Sequence, residues 1–147
     1  MSEVITSIEI DAPPEKVYEV VMDPRRLEDW VTIHVGLKAA PNGDLERGSE
    51  LIQCLKLAGR RFDVHWDVVE ADRPTRVVWE GRGPVHSRAK VVYDIHPNDG
   101  NRTAFHYVNE YSLPGGPLGR IAGGALRGTA ERESERTLER LKGLLES

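Results

Sequence analysis

Apolar and polar residues alternate in the first segment of the chain and then change to a helical spacing. Over residues 4–10 the apolar side chains fall on every second position, a pattern typical of a half-buried β-strand. Asp11 followed by Pro13-Pro14 signals a helix start, since aspartate caps free N–H groups and proline tolerates the first turn. Asp23-Pro24 repeats that signal, so the pattern predicts two short helices, the second over residues 25–30.

Strand patterns dominate from there to about residue 113. The predicted strands cover residues 34–40, 49–57, 61–71, 76–81, 85–96 and 103–113, with turn signals at Asn42-Gly43 and over residues 97–101. Consecutive strands joined by short turns imply an antiparallel meander. Over residues 117–145 apolar side chains recur at spacings of three and four, which predicts one long amphipathic C-terminal helix.

This order of elements predicts how the chain covers its core. An antiparallel sheet of six or seven strands twists and curls, and its concave face needs cover. The long C-terminal helix covers it but leaves a gap at one end, which the two short helices between the first and second strands are placed to close. We therefore expect a single α+β domain over residues 1–147.

The chain resembles a known superfamily over essentially its whole length. The element order, together with "APPEKVYEVVMDPRRLEDW", "VVEADRPTRVVWEG" and "NEYSLPGGPLGR", is similar to the START-like (SRPBCC, Bet v 1-like) helix-grip fold, most of all to its bacterial polyketide cyclase/dehydrase-type branch. The resemblance implies an apolar cavity between the sheet and the C-terminal helix. It also implies a lipid-like, polycyclic or isoprenoid ligand, since some relatives are cyclases and many only bind or carry.

The last strand carries residues of the kind that line a pocket. Phe105, Tyr107, Asn109 and Tyr111 share one face, and an amide with two phenols is unusual in a sealed core because each buried polar group needs a partner. Alternatively, Asn109 bonds backbone or water and the tyrosines reach the surface. The predicted cavity set is Trp30, Phe62, Trp79, Tyr93, Phe105, Tyr107, Asn109, Tyr111, Ile121 and Ala125.

Glycines in the first half of the long helix have three interpretations. Gly119, Gly123, Gly124 and Gly128 each cost helix propensity, about 1 kcal/mol relative to alanine. They either leave volume beneath the helix or let it bend, or they reflect close packing on the sheet. A third interpretation is that the helix starts later than residue 117.

Composition and charge narrow the classes of partner and compartment. The net charge of −4 argues against nucleic acid as the main partner, although it leaves room for a local basic patch. Cys54 is the only cysteine, which rules out an internal disulfide and suits a reducing compartment. Because "MSEVITSIEIDA" lacks signal-peptide features and no apolar run reaches about 20 residues, we expect a cytoplasmic, bacterial protein without a membrane span.

Candidate catalytic groups are few. Tyr107, Asn109, Tyr111, His34 and His86 are the candidates, the histidines as groups near a cavity mouth. Asp63, His65 and Asp67 share one strand face, but the opposite face is apolar, so we place them in solvent. The glycine spacing of residues 119–124 lies in a helix and lacks a following lysine, so it predicts no phosphate loop, and we expect neither cofactor nor metal.

Three functions are compatible with these features. The first is binding or carriage of a hydrophobic small molecule in the cavity. The second is a cyclase or dehydratase in which cavity phenols, the amide or a histidine move protons or stabilise an enolate. The third is a regulatory or chaperone-like module, for which the sequence indicates no particular protein partner.

Overall fold

The computed structural model describes the backbone of residues 2–112 and 117–147 and the side chains of residues 2–112 and 126–147. The strands and helices, in chain order, are β1 (Ser2–Ile10), α1 (Pro14–Val21), a 3-10 turn (Pro24–Arg26), α2 (Leu27–Trp30), β2 (His34–Ala39), β3 (Glu50–Leu57), β4 (Arg60–Asp72), β5 (Arg76–Arg82), a second 3-10 turn (Pro84–His86), β6 (Arg88–Asn98), β7 (Arg102–Ser112) and α3 (Pro117–Glu146). The long helix therefore begins at the predicted residue.

The strands form one antiparallel sheet of seven strands in the order β1-β7-β6-β5-β4-β3-β2. The predicted meander is confirmed, and β1 joins it by pairing with β7, so that Ser2 lies opposite Tyr111. The register brings the β3–β4 turn and the β5–β6 loop to the same end of the sheet, which also holds Ser2 and Ser112. We call this end, defined by residues 56–61 and 82–88, the tip end.

The core lies between the concave face of the sheet and the helices. Trp30, at the end of α2, is fully buried, as are Phe105 and Ile95 of the sheet and Leu141 of α3. Alternation explains the sheet side of this core, since Val64, Trp66 and Val68 are buried while their neighbours His65 and Val69 are exposed. Among the described residues, no helix is long and apolar enough to cross a membrane.

The two short helices start for different local reasons. Asp23 behaves as predicted: its carboxylate accepts a hydrogen bond from the Arg25 N–H at 3.0 Å and begins a 3-10 turn that continues into α2. The predicted cap on α1 is wrong. Pro13 occupies the N-cap of α1 without a side-chain hydrogen bond, while Asp11 donates its own N–H to Glu146 at the far end of α3.

Two predicted strand ends are also wrong. The strand expected from residue 85 begins at Arg88, because Val85 and His86 take left-handed backbone angles, with φ of 54° and 60°, in the 3-10 turn before it. At its other end β6 continues through Pro97, which lies opposite Thr103, so the turn is confined to residues 99–101. Leu113, the predicted end of the last strand, lies outside the described residues.

Gly81 is a position where the sheet has no room for a side chain. A Cβ at Gly81 would lie 2.6 Å from Trp66 Cε3 and 2.7 Å from Val64 Cγ1, closer than van der Waals contact allows. The backbone of β5 therefore supports the inner face of the Trp66 indole directly.

We expect Gly81→Ala to lower the free energy of unfolding by about 1–3 kcal/mol, the usual cost of overpacking a core. Urea unfolding followed by circular dichroism measures it. Gly36→Ala is the matched control, because β2 offers open space around Gly36. Equal midpoints for the two variants would show that the Trp66 indole moves aside freely.

Candidate functional site

A pocket of about 150 Å³ lies between the tip end of the sheet and α3, partly open to solvent. Its walls are mostly apolar, and polar groups are concentrated on the β7 and α3 side. Among the described residues, the lining consists of Val31 and Ile33 before β2, Leu55, Leu57, Phe62, Val64 and Trp66 of β3 and β4, Gly83 and Ser87 of the β5–β6 loop, Arg88, Ala89, Lys90 and Val91 of β6, Tyr107, Asn109, Glu110, Tyr111 and Ser112 of β7, and Leu126, Ala130, Glu133, Ser134 and Thr137 of α3.

The predicted cavity residues fall into three groups. Phe62, Tyr107, Asn109 and Tyr111 line this pocket. Trp30, Trp79, Tyr93 and Phe105 lie in the packed core beside it, each at most 2% exposed. The side chains of Ile121 and Ala125, and the surroundings of Gly119, Gly123 and Gly124, lie outside the described residues. A role in ligand binding stays a prediction for the whole set.

The buried aromatic residues form one connected cluster. The Tyr93 ring lies 5.8 Å from Trp30, 5.7 Å from Trp79 and 5.7 Å from Tyr107, measured between ring centroids. The indole N–H groups of Trp30 and Trp79 find no acceptor among the described residues. Ring packing therefore holds this cluster together, and the cluster leaves no open space next to the pocket on this side.

Sequence reasoning placed Ile121 and Ala125 of the long helix in the cavity but missed the lining residues further along α3. Leu126, Ala130, Ser134 and Thr137 line the pocket and follow each other at helical spacings of four, four and three. Small and polar residues on the inner side of an amphipathic helix were the available signal, but the leucines further along this helix drew attention to its packing instead.

Polar groups converge at the β7 side of the pocket. Asn109 donates from Nδ2 to Ser134 Oγ at 3.4 Å, a long bond that links the last strand to α3. The Tyr111 hydroxyl is buried and has no hydrogen-bond partner among the described residues. An unpaired buried hydroxyl costs about 1–3 kcal/mol, so this group is available to a ligand at an energetic advantage.

Thr32 fixes α3 over the pocket. Its N–H donates to Thr137 Oγ1 at 3.1 Å, and its hydroxyl donates to Glu133 Oε2 at 2.5 Å. Both contacts join the segment between α2 and β2 to the helix residues that line the pocket. The short-helix region and α3 are therefore held together by hydrogen bonds at the pocket wall as well as by apolar packing.

Burial keeps the pocket phenols neutral. Desolvation raises the pKa of Tyr107, with a weaker opposing effect from hydrogen bonding to Asn109, and burial raises the pKa of Tyr93 well above its usual value. At neutral pH both phenols therefore keep their O–H. Tyr107, the one that lines the pocket, can donate to a polar atom of a ligand and is poorly suited to removing a proton.

His34 belongs to a hydrogen-bond chain that ends at the pocket wall. Trp66 Nε1 donates to Gln53 Oε1 at 2.9 Å, and Gln53 Nε2 lies 2.8 Å from His34 Nδ1. Because an indole N–H only donates, Gln53 must present its oxygen to Trp66 and its NH₂ to His34. His34 Nδ1 then accepts, which requires a neutral ring protonated on Nε2. Burial lowers the pKa of His34 in agreement, against a smaller opposing effect of the Glu28 charge.

The remaining candidates lie away from the pocket interior. His86 is exposed on the left-handed turn at the rim. Asp63 binds Lys38 Nζ at 2.6 Å on the outer face of the sheet, where His65 is exposed. Within the described part of the chain, no group of three or more His, Cys, Asp or Glu residues is arranged to hold a metal ion.

Comparison with known proteins identifies the family. The family model described as "Polyketide cyclase / dehydrase and lipid transport" matches residues 1–146. The chain belongs to this family. The resemblance inferred from its motifs is thereby confirmed, and membership supports a ligand-binding or cyclase role.

Individual relatives agree with this assignment at low identity. Toxin Rv0910 of Mycobacterium tuberculosis is 26% identical over 130 residues, covering 86% of this chain and 89% of its own. The Zhui aromatase/cyclase from a Streptomyces species shares the fold with a TM-score of 0.77 at 18% identity, over 99% of this chain and 93% of its own. A START superfamily protein from Mycobacterium smegmatis gives a TM-score of 0.71 at 19% identity, over 98% and 97%.

The His34 chain predicts a pH dependence of stability. Because the folded pKa of His34 lies below its unfolded value, the unfolded chain binds more protons as the pH falls, and stability is lost from about pH 6.5 downward. His34→Asn keeps an acceptor facing Gln53 but cannot titrate. We expect this variant to show a shallower loss of unfolding free energy between pH 7 and pH 5, measured by urea unfolding. An unchanged slope would contradict the assignment of His34 as neutral.

Proposed function

We propose that this protein binds and carries a hydrophobic small molecule whose apolar end inserts into the pocket at the tip end. The pocket itself is the observation that carries the proposal: apolar side chains of β3, β4, β6 and α3 surround it, and a few hydrogen-bonding groups lie on one side. Sites for small molecules commonly combine apolar walls with a small number of convergent polar groups.

The volume of the pocket limits what it encloses. Ordinary ligand pockets measure roughly 300–1,000 Å³, whereas this one measures about 150 Å³. A dry cavity of about 150 Å³ holds a molecule as small as benzene. The enclosed part of the ligand is therefore about one ring or a short branched chain, and the rest of a larger ligand extends through the open side.

The polar side of the pocket supports a ligand with a hydrogen-bonding group. Tyr111 presents a buried hydroxyl without a partner among the described residues, and the Asn109–Ser134 bond is long enough to be exchanged for a better one. A hydroxyl, ketone or carboxyl oxygen on the ligand would satisfy these groups. Selectivity then comes from the polar atom and affinity from the apolar walls.

Binding is better supported than the cyclase alternative. Tyr107, Asn109 and Tyr111, candidates for catalysis, do share the pocket. Burial, however, raises the pKa of Tyr107, and His34 directs its Nδ1 lone pair at Gln53. Proton abstraction from a substrate needs a base near its working pH, and these groups supply donors instead.

Filling the pocket should abolish binding. We expect Ala130→Phe to weaken binding of the fluorescent probe N-phenyl-1-naphthylamine at least tenfold, because the new ring occupies the space beside Asn109 and Ser134. Glu139→Phe adds the same ring at an exposed position of α3 and serves as the matched control. Probe titration by fluorescence measures both. Equal affinities in the two variants, or no probe binding by the wild-type protein, would overturn the proposed function.

Removing the Tyr111 hydroxyl should weaken binding of ligands that carry a hydrogen-bonding group and leave binding of purely apolar ligands unchanged. In competition against the same probe, we expect Tyr111→Phe to weaken 1-naphthol about fivefold and to leave 1-methylnaphthalene unchanged, because only the naphthol offers a hydrogen-bonding group. The free protein should be as stable as the wild type or slightly more so, since the lost buried hydroxyl has no partner among the described residues. Equal weakening of both compounds would assign Tyr111 to packing alone.

A further inference from the structure

The tip end of the sheet concentrates exposed positive charge around the pocket. Lys56, Arg60 and Arg61 lie on the β3–β4 hairpin, and Arg82 and Arg88 lie at the base of the β5–β6 loop. The segments 55–62 and 81–89 contain no acidic residue, in a chain whose net charge is −4. The positive charge is therefore a local property of this end.

The register places these cations against one another. Lys56 lies directly opposite Arg61, and Arg82 lies directly opposite Arg88. Within the described residues none of them lies in an ion pair, whereas Arg25, Arg73 and many other cations do. Like charges directly opposite destabilise a sheet, so this arrangement is favourable only when an external anion neutralises it.

An apolar side chain projects from the middle of this basic region. Val85 is 73% exposed at the top of the β5–β6 loop. Val85 and His86 both have left-handed backbone angles. For Val85, a β-branched residue, this conformation is an outlier and costs energy. The loop is closed by Gly83 N–H donating to Ser87 O at 2.9 Å, so the strained turn is held in place and directs Val85 outward.

We propose that the tip end docks on an anionic membrane surface, with Val85 entering the interfacial layer and the flanking cations contacting lipid headgroups. Basic residues around an exposed apolar side chain match the two attractions such a surface offers. Leu57, Gly83 and Ser87 of the same end line the pocket, so docking at this end places the pocket next to the bilayer. This last point, passage of a ligand between bilayer and pocket, rests on the proposed function.

An acidic row behind the tip end fixes the docking orientation. Four carboxylates, Asp67, Glu80, Glu110 and Glu3, and one cation, Lys90, lie opposite one another across five strands, one outward position further from the tip than Arg82 and Arg88. This row repels an anionic surface, so the sheet cannot lie flat on it. A nucleic acid fits less well, since neither Val85 nor the apolar pocket has a counterpart on a phosphate backbone.

Cosedimentation with vesicles tests the docking. We expect the wild-type protein to bind vesicles of phosphatidylcholine with phosphatidylglycerol, to bind pure phosphatidylcholine at least tenfold more weakly, and to be released by high salt. Arg61→Ala with Arg82→Ala, two exposed tip cations outside the pocket lining, should weaken binding at least tenfold. Val85→Ser should weaken it about threefold or more, because its apolar side chain no longer leaves water.

Matched controls remove equivalent groups elsewhere. Arg102→Ala with Arg140→Ala deletes two exposed cations remote from the tip end, and Ile5→Ser deletes a side chain 63% exposed on β1. Both controls should bind vesicles like the wild type. The docking proposal is overturned if the wild-type protein stays in the supernatant at low salt, or if the controls weaken binding as much as the tip variants. It is also overturned if a DNA duplex, rather than vesicles, is bound through Arg61 and Arg82.

Probe binding without vesicles separates this proposal from the proposed function. The Arg61/Arg82 and Val85 variants should bind N-phenyl-1-naphthylamine as the wild type does and unfold at no lower urea concentration, because none of these side chains lines the pocket. If the wild-type protein binds the probe but does not bind vesicles, docking alone is overturned. If the wild-type protein binds vesicles but does not bind the probe, the proposed function of the pocket alone is overturned.

Discussion

The packing of Trp30 against the sheet is the contact on which the arrangement of this molecule depends. The indole is fully buried, with its ring 5.8 Å from Tyr93 and 6.3 Å from Tyr107. This contact anchors the short-helix region to the middle strands, and two residues later Thr32 binds Glu133 and Thr137 of α3. One short segment therefore positions the long helix and fills the space on one side of it. The pocket is what remains on the other side, toward the tip end.

The two walls of that remaining space differ in rigidity. Trp66 is held at its edge by Gln53, at its face by the Gly81 backbone, and against Trp79 at a ring distance of 5.7 Å. Its position is set by the sheet before any ligand arrives. Across the pocket, Thr32 holds α3 at Glu133 and Thr137, whereas the side of α3 that faces β7 is joined to it, among the described residues, by one long hydrogen bond from Asn109 to Ser134. A small movement of the helix away from β7 can therefore widen the pocket from about 150 Å³, which suits a ligand larger than a single ring.

The alternation of apolar residues sufficed to predict most of the sheet and its inward face, because burial on one side of a strand leaves a two-residue period. Asp23 was likewise readable, since its cap is local. The residues of α3 from Leu126 to Thr137 that line the pocket were not predicted. Which side of a helix faces a cavity depends on where the neighbouring strand ends, and the helix sequence does not contain that information. The hydrogen bonds that link His34, Gln53 and Trp66 join three strands, β2, β3 and β4, so no local sequence pattern predicts them. The left-handed turn at Val85 contradicts the backbone preference of valine, and a propensity argument therefore extends the strand through it.

The same failure of propensity marks a place where the chain departs from the rules that favour stability. At the β5–β6 loop the chain combines a disfavoured backbone, an exposed valine and two arginines placed opposite each other, and each of these lowers the stability of the isolated molecule. Sequences that satisfy local rules nearly everywhere tend to break them at functional positions. Here the broken rules lie together, at the end of the sheet that borders the pocket. A membrane surface, with anionic headgroups above an apolar interior, relieves the exposed valine and the opposed arginines at once. We therefore interpret the tip end as the surface that contacts lipid, with the pocket directly behind it.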